Sequence, residues 1–559
     1  MDNSKWPSRR QVVAGAGTLA AGLTTFAATV AAQPKAQGIV FHDRSGSGRR
    51  QPGDPGIAHV LVSNGVDVVR TDYEGRWQLP VHPGNELFVI KPPGWSVPQG
   101  RLGLMNFSQC VSAPSIEAVS RTNPRQSIDF ALRPTDEKDA FDVALVADTQ
   151  PQSDLELDYL RDSTLAAIAQ TGAAFAINHG DVVFDDATLY PRYLQLTAAT
   201  GMPWHHCPGN HDMNRTNTVA DDCFETWRAV FGPTSYAFQY GRATFIMLNN
   251  VERLQPGRST ASGYDYRGAI GDRQMQFIRN LLAHVPFDDL VVVSMHIPLL
   301  GFEDPSDPAG RTADHHALMR LLSGRPHTVS FAGHTHTTEH HYLGASHGFD
   351  GPGLHHHHVL TTACGSWWSG PIDHQGQPLA SNRDGSPKGF HILSVNSNRY
   401  TTRLVPVGHS GHPQMRISLA GQQGAELLGT TARNSRSISL PVGSLGRAAV
   451  VVNVFDGGPH TKVNFSVHSS DGDDVVGAAS ALPMQRVMDQ DPYTVTHYAL
   501  YKSELKPWVE PTRSSHIWRA TLPSNLAPGV YRICATARDE YNRSHATATL
   551  IEITSRLEM

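Results

Sequence analysis

The rhythm of apolar and polar positions changes twice along the chain. From about Gly38 to Pro134, short apolar runs are broken by turn residues. Val60 and Val62 alternate with His59, Leu61 and Ser63, Asn64-Gly65 supplies a hairpin turn, and Val66 to Val69 returns. Trp77 to Pro80 and Leu87 to Ile90 continue the series, which predicts a small β-sandwich over residues 38–135. Between about Lys138 and Gly408 the pattern becomes strand, loop, helix. Val143 to Ala147, Ala173 to Ile177, Leu290 to Met295 and Thr328 to Ala332 are continuous apolar runs, as strands buried on both faces require. Helical spacing falls near Leu155 to Ala169, Asp272 to Ala283 and Ala313 to Leu322, so residues 138–408 read as an α/β domain. After about Pro413 strands return: Ala448 to Phe455 is a buried run, Val463, Phe465 and Val467 alternate with polar neighbours, and His545 to Ile553 closes the chain. A second β-sandwich over 413–559 is expected.

The first residues follow a different logic. Ser8-Arg9-Arg10-Gln11-Val12-Val13 is a twin-arginine pair leading into a weakly apolar stretch, and Val30-Ala31-Ala32 offers the small residues of a cleavage site. Residues 1–32 therefore read as a twin-arginine signal peptide, with the mature protein periplasmic or secreted. The stretch lacks the Leu and Ile density of a stop-transfer helix, and no later run is long enough to give the mature chain a transmembrane segment.

Composition narrows the function. With 40% hydrophobic and 17% charged residues, disorder is excluded for a chain of 559 residues. Lys plus Arg total 46 against 51 Asp plus Glu, so there is no basic excess and no nucleic-acid-binding surface is evident. The five cysteines are far apart and form no CxxC, which suggests neither a zinc ribbon nor a disulfide framework. A bridge between Cys207 and Cys223 cannot be argued from spacing, and most are expected as buried small hydrophobes. His42 to Asp54 resembles a worn calcium loop in which Ser45, Ser47 and Gln51 stand where stronger ligands belong, so a surface turn is expected. The unusual number is 30 His, of which fourteen lie between His284 and His358. That crowding directs attention to metal chemistry, because neutral imidazole is the commonest metal ligand.

The polar residues that could hold metal each follow an apolar strand. Asp148 and Gln150 follow the first, Asn178 to Asp181 the second, Gly209-Asn210-His211-Asp212 the stretch from Pro203 to Pro208, His296 the next, and Gly333-His334-Thr335-His336 the last. Loops beyond the carboxyl ends of strands are where open α/β sheets bind ligands. Nitrogen and oxygen donors from five strands would then share one rim, enough for two cations with a carboxylate between them.

The order Asp148-x-Gln150, Gly180-Asp181, Gly209-Asn210-His211-Asp212, His296, Gly333-His334-x-His336 resembles the calcineurin-like metallophosphoesterase superfamily, over about 190 residues. The flanking sandwiches resemble the N- and C-terminal domains of an exported bacterial subfamily. The fold this implies is a calcineurin-like β-sandwich core flanked by helices, with all-β sandwich domains at both ends. The resemblance implies two divalent or mixed-valence metal ions. Asp148, Gln150, Asp181 and His336 would hold the first, and Asp181 as bridge, Asn210, His296 and His334 the second. A phosphomonoester or phosphodiester would be hydrolysed by attack of a metal-bridging hydroxide. His211 would stabilise the transition state or protonate the leaving oxygen, with Asp212 positioning its imidazole. The rival expectation is a catalytically inactive cell-envelope binding protein built on the same scaffold.

Two departures bear on the metal. Most of the superfamily has His where Gln150 stands, and an amide oxygen is a weaker donor than imidazole. Phe184 stands where purple acid phosphatases place Tyr, which argues against an iron(III)–tyrosinate site, while Asp185 and Asp186 follow immediately. Manganese, iron and zinc all remain open. Four further features are conspicuous. His355 to His358 would alternate faces if extended and reads equally as a contributor to the site or a solvated strand start. Glu339-His340-His341 faces the same choice, with the balance slightly toward the site. Trp367 and Trp368 are candidate substrate residues, of which one need line the pocket if the backbone is extended. Lys388, in a predicted turn, could reach a substrate phosphate.

Overall fold

Val143 and Leu145 pack into one apolar cluster while their neighbours Ala144 and Val146 pack into another, so this strand is covered on both faces. That arrangement organises the central part of the protein. The computed structural model describes residues 34–555 apart from 82–85, 111–126, 216–222, 256, 409–410, 422–426, 428–437, 470–473 and 477–481. The twin-arginine stretch lies outside the described residues.

The central strands are β1 (Ala140–Val146), β2 (Phe175–His179), β3 (Trp204–Cys207), β4 (Tyr236–Tyr240), β5 (Ala243–Met247), β6 (Leu290–Ser294), β7 (Thr328–Ala332), β8 (Glu339–Leu343), β9 (His355–Val359), β10 (Gly389–Asn396) and β11 (Arg399–Pro406). They form a five-stranded sheet in the order β3-β2-β1-β10-β11 and a six-stranded sheet in the order β4-β5-β6-β7-β9-β8. The runs β1–β3 and β5-β6-β7-β9 pair in parallel. The sheets meet face to face, with Phe175 of β2 edge-on to Phe245 of β5 at 5.2 Å between ring centroids. Helices α1 (Asp154–Leu160) and α2 (Tyr190–Ala198) pack on the outer face of the first sheet through Leu157, Leu160, Tyr193 and Leu194. Helices α3 (Gly271–Leu282) and α4 (His315–Leu322) contribute Phe277, Ile278, Leu318 and Met319 to the core of the second sheet. This is the expected β-sandwich core flanked by helices.

Strands that are apolar throughout are found where the sequence places them, within about three residues. Those carrying imidazole are not. β3 reads Trp-His-His-Cys and β9 reads His-His-His-His-Val, yet every residue of both is buried. The solvated strand start expected at His355 is therefore corrected: its four imidazoles are interior. The helix expected over Leu155 to Ala169 is interrupted by a π-turn at Arg161–Leu165.

Before this core, sheets in the strand orders Arg76–Pro80, Lys35–His42, Phe130–Pro134, Trp95–Ser96 and Val68–Arg70, Leu61–Ser63, Glu86–Ile90, Ser108–Cys110 make the first sandwich. Ser63 pairs with Val68, so Asn64 to Asp67 form a four-residue loop rather than a two-residue turn. The sandwich packs on the central α/β part, with Phe88 edge-on to Phe277 at 5.7 Å. Asp43, at the start of the suspected calcium loop, accepts the N–H groups of Gly46, Ser47 and Gly48, so its carboxylate closes the turn.

After β11, a four-stranded sheet (Met415–Gly421, Ala448–Val454, Arg513–Thr521, Gln485–Gln490) faces a six-stranded one built around Lys462–Ser469, Gly529–Arg538 and Ser544–Thr554. The connection Tyr501 to Thr512 of this second sandwich reaches back to the central α/β part. Lys506 Nζ bonds Glu156 at 2.7 Å, and Gly370 N–H donates to the Glu504 carbonyl. Among the described residues no helix is long and apolar enough to cross a membrane. Cys207, Cys223, Cys364 and Cys534 are free thiols, the first three buried, so Cys207 and Cys223 are not bridged.

Candidate metal centre

All seven residues proposed as ligands lie just past the carboxyl ends of their strands, and parallel pairing brings those ends to one rim. Asp148 and Gln150 follow β1, Asp181 follows β2, Asn210 follows β3, His296 follows β6, and His334 and His336 follow β7. Five of them hold a positive φ: Asp148 (50°), Gln150 (38°), Asp181 (51°), His334 (78°) and His336 (54°). Each such residue costs on the order of 1–3 kcal/mol, and strain of this kind concentrates where function dictates geometry. The motif glycines make room for it. A Cβ on Gly209 would lie 2.1 Å from Asp181 Oδ1, and one on Gly333 would lie 2.3 Å from Asp148 Oδ2.

The donors converge. His296 Nε2 lies 3.0 Å from Asn210 Oδ1, 3.1 Å from His334 Nδ1 and 3.3 Å from Asp181 Oδ1. His336 Nε2 faces Asp148 Oδ1 across 3.7 Å, and both atoms are buried without a hydrogen-bond partner. Gln150 Nε2 donates to Asp181 Oδ2 at 2.5 Å, and a half-turn of the terminal amide would present its oxygen instead. The outward ring nitrogens are anchored: His296 Nδ1 bonds the His179 carbonyl at 2.9 Å and His336 Nδ1 the Gly365 carbonyl at 2.8 Å. Such anchors fix the orientation of metal-binding imidazoles.

Burial pushes the Asp148 carboxyl up to about 7, with the His296 imidazole opposing and the neighbouring Asp181 charge adding to the rise. Burial also acts against an ionised Asp181, but His296 and His211 hold it well below the usual carboxylate range. Burial alone would depress His296, yet Asp181 carries it up to about 9, while His334 and His336 are pushed down to about 3 chiefly by burial. The rim thus sets imidazoles and carboxylates face to face, with the unsatisfied atoms Asp148 Oδ1 and His336 Nε2 between them, a donor set that fits cations.

The environment of His211 differs from expectation. Its Nδ1 lies 2.9 Å from Asp185 Oδ1, and Arg215 Nε donates to the same oxygen at 2.8 Å. Asp212 does not reach the imidazole. Its carboxylate accepts the N–H groups of Gly209 (2.8 Å) and Val182 (3.2 Å) and the Tyr190 hydroxyl (2.9 Å), so it locks the loop instead. Asn210 to Asp212 form a single 3₁₀ turn, which sends the two side chains in different directions. The adjacency of Asp185 to Phe184 was the available sequence signal.

The rim opens into a cavity of about 380 Å³ lined by Asp181, His211, Phe184, Trp367, Arg383 and Trp508, among others. The Trp367 ring stacks on His336 at 3.8 Å, and Phe184 lies between His211 (4.1 Å) and Trp508 (5.6 Å). Trp368 is not a lining residue: it is buried, with Nε1 donating to the Thr149 carbonyl at 2.7 Å. Both tryptophans have positive φ (53° and 54°), so the extended backbone expected for them is replaced by a left-handed turn. Lys388 is also removed from the site, buried with Nζ bonded to the Pro378 carbonyl at 3.0 Å. No local motif in the sequence marks Trp508 or Arg383.

A rim of this kind on a two-sheet α/β core defines a candidate metal-binding protein. Residues 141–338 match the family model described as calcineurin-like phosphoesterase, and residues 357–545 match that described as the C terminal of calcineurin-like phosphoesterase. The chain belongs to the calcineurin-like phosphoesterases, metal-dependent enzymes that act on phosphate esters. The family implies divalent metal ions. Similar solved structures include a purple acid phosphatase PPD1 from seeds of yellow lupin (Lupinus luteus), 12% identical with a TM-score of 0.33 over 62% of this chain and 67% of that one. PhoD is 11% identical with a TM-score of 0.33 over 66% of this chain and 88% of that one. Likenesses at this level add nothing to the family assignment. No curated protein matches the chain.

Proposed function

We propose that the chain hydrolyses a phosphomonoester or phosphodiester at a centre for two cations sharing Asp181. Asp148, Gln150, Asp181 and His336 would hold one, and Asp181, Asn210, His296 and His334 the other. The observation that carries this reading is the pair of buried, partnerless atoms Asp148 Oδ1 and His336 Nε2 beside the tight cluster of Asp181, His296 and His334. Cations held there supply Lewis-acid neutralisation of the phosphoryl oxygens and activation of water.

The chain's own residues do the rest. Asp185 holds His211 Nδ1, which leaves Nε2 facing the rim, 4.0 Å from Asp181 Oδ2. From there the imidazole can hydrogen-bond a phosphoryl oxygen or give a proton to the leaving oxygen. Trp367, Trp508 and Phe184 form an apolar wall for the group esterified to phosphate and exclude water from it. Export by the twin-arginine route to the periplasm or beyond is part of the same proposal, and rests on Arg9, Arg10 and the small residues to Ala32.

The experiment is metal content and turnover of chromogenic mono- and diesters by the purified chain and by Asp181→Asn. Two equivalents of metal at the rim and loss of turnover in the variant are expected. Unchanged turnover in Asp181→Asn would sink the shared-carboxylate centre.

A further inference from the structure

Away from the rim, three imidazoles converge on one carboxylate oxygen. His340 on β8, His358 on β9 and His391 on β10 each place Nε2 3.1 Å from Oδ1 of Asp456. Asp456 follows the strand Ala448–Val454 of the C-terminal sandwich. The three imidazoles are fully buried and the Asp456 side chain is only 10% exposed. A carboxylate oxygen carries two lone pairs, so three N–H donors cannot all be satisfied on it. His391 Nδ1 is buried with no hydrogen-bond partner, which leaves the Nε2 contact as that ring's polar anchor.

The separations are those of ligand atoms around a single cation. Four nitrogen and oxygen ligands at about 2.0–2.1 Å in a tetrahedron stand about 3.3 Å apart. The nitrogens here stand 3.1 Å from the oxygen, and the ligand atoms of His358, His391 and Asp456 all lie within 4.8 Å of one another. Two of the rings are also held on their outer side. His340 Nδ1 is 2.9 Å from His356 Nε2, His356 Nδ1 is 3.0 Å from the Tyr400 hydroxyl, and His358 Nδ1 is 3.4 Å from the Thr402 hydroxyl. A cavity of about 290 Å³ that reaches Asp456 past Asp539 and His545 gives an ion a way in.

We propose that His358, His391 and Asp456 form a further cation site, separate from the catalytic rim and suited to a zinc-class divalent ion. Two imidazoles and one carboxylate are nitrogen and oxygen donors of the kind zinc takes, with a fourth position left for water. Its ligands come from both central sheets and from the C-terminal sandwich, so the ion rivets that domain to the catalytic core. This accounts for part of the histidine excess that catalysis does not use.

The test compares full-length Asp181→Asn with Asp181→Asn/Asp456→Asn and Asp181→Asn/His391→Gln after loading with zinc alone and dialysis. One more equivalent of zinc in the single variant than in either double variant is expected. Cobalt loading of the single variant should give the intense visible absorption of tetrahedral cobalt(II), absent from the doubles. Should Asp456→Asn fail to fold, His391→Gln, which is closer in size, carries the comparison. Equal zinc in the single and folded double variants, or cobalt bands that survive His391→Gln, would overturn the site and leave a hydrogen-bonded clamp.

Discussion

Asp185→Asn tests which carboxylate serves His211. The carboxylate lies 2.9 Å from His211 Nδ1 and also anchors Arg215 at 2.8 Å. A hydrogen bond to a charged partner contributes about 1.5–3 kcal/mol. Asp185 is 38% exposed, so solvent screening puts the effect in the lower part of that range or just below it, about 1–2 kcal/mol. At 1.36 kcal/mol per decade this is roughly a 5- to 30-fold fall in kcat. The assay is steady-state hydrolysis of a chromogenic ester at fixed pH, with metal content measured in parallel and expected to be unchanged. Asp212→Asn is the counterpart. It disturbs the three donors on that carboxylate, so its main effect should be a lower Tm. A fall in kcat in Asp212→Asn at unchanged Tm and metal content, with Asp185→Asn as active as the parent, would refute the reasoning and restore the sequence-based assignment.

Acid should unfold the protein early. His206 and His355 are buried and held down to about 3, so the folded state binds fewer protons than the unfolded chain once pH falls below about 6.5. Their contribution is complete above that pH and is lost at about 1.4 kcal/mol per unit each as pH falls toward 3, so a denaturation midpoint that is flat from pH 7 to 5 would contradict this. Trp367→Ala should raise KM with little change in Tm. Trp368→Ala, by contrast, should cost about 3–5 kcal/mol of stability, read from chemical denaturation. Gly333→Ala drives a Cβ to within 2.3 Å of Asp148 Oδ2, and metal analysis should show reduced occupancy of the rim.

The rim was legible because its signals are local. An apolar strand ending in Asp, His or Gly-Asn-His-Asp announces both its element and its donor, and parallel strands point their carboxyl ends the same way. Roles that depend on side-chain direction were less so. Asp212, adjacent to His211, is the carboxylate the sequence offers it, and only the 3₁₀ turn at Asn210–Asp212 takes that side chain elsewhere and leaves Nδ1 to Asp185. β9 failed for another reason: a run of imidazoles scores as polar, and its burial depends on partners such as Ser330, which bonds both His355 and His357.

The sequence by itself determined an α/β core with all-β flanks and a series of candidate metal donors after its strands, because hydrophobic period and strand-end motifs are properties of short stretches, while the two-sheet fold and the class of reaction came from the family those motifs resemble. Tertiary structure decided that Trp508 and Arg383 join the pocket, that Trp368 and Lys388 leave it, and that His340, His358 and His391 meet Asp456. Those contacts join residues as far apart as Phe184 and Trp508, whose side chains meet at 5.6 Å through the packing of one domain on another. No periodicity along the chain encodes that docking.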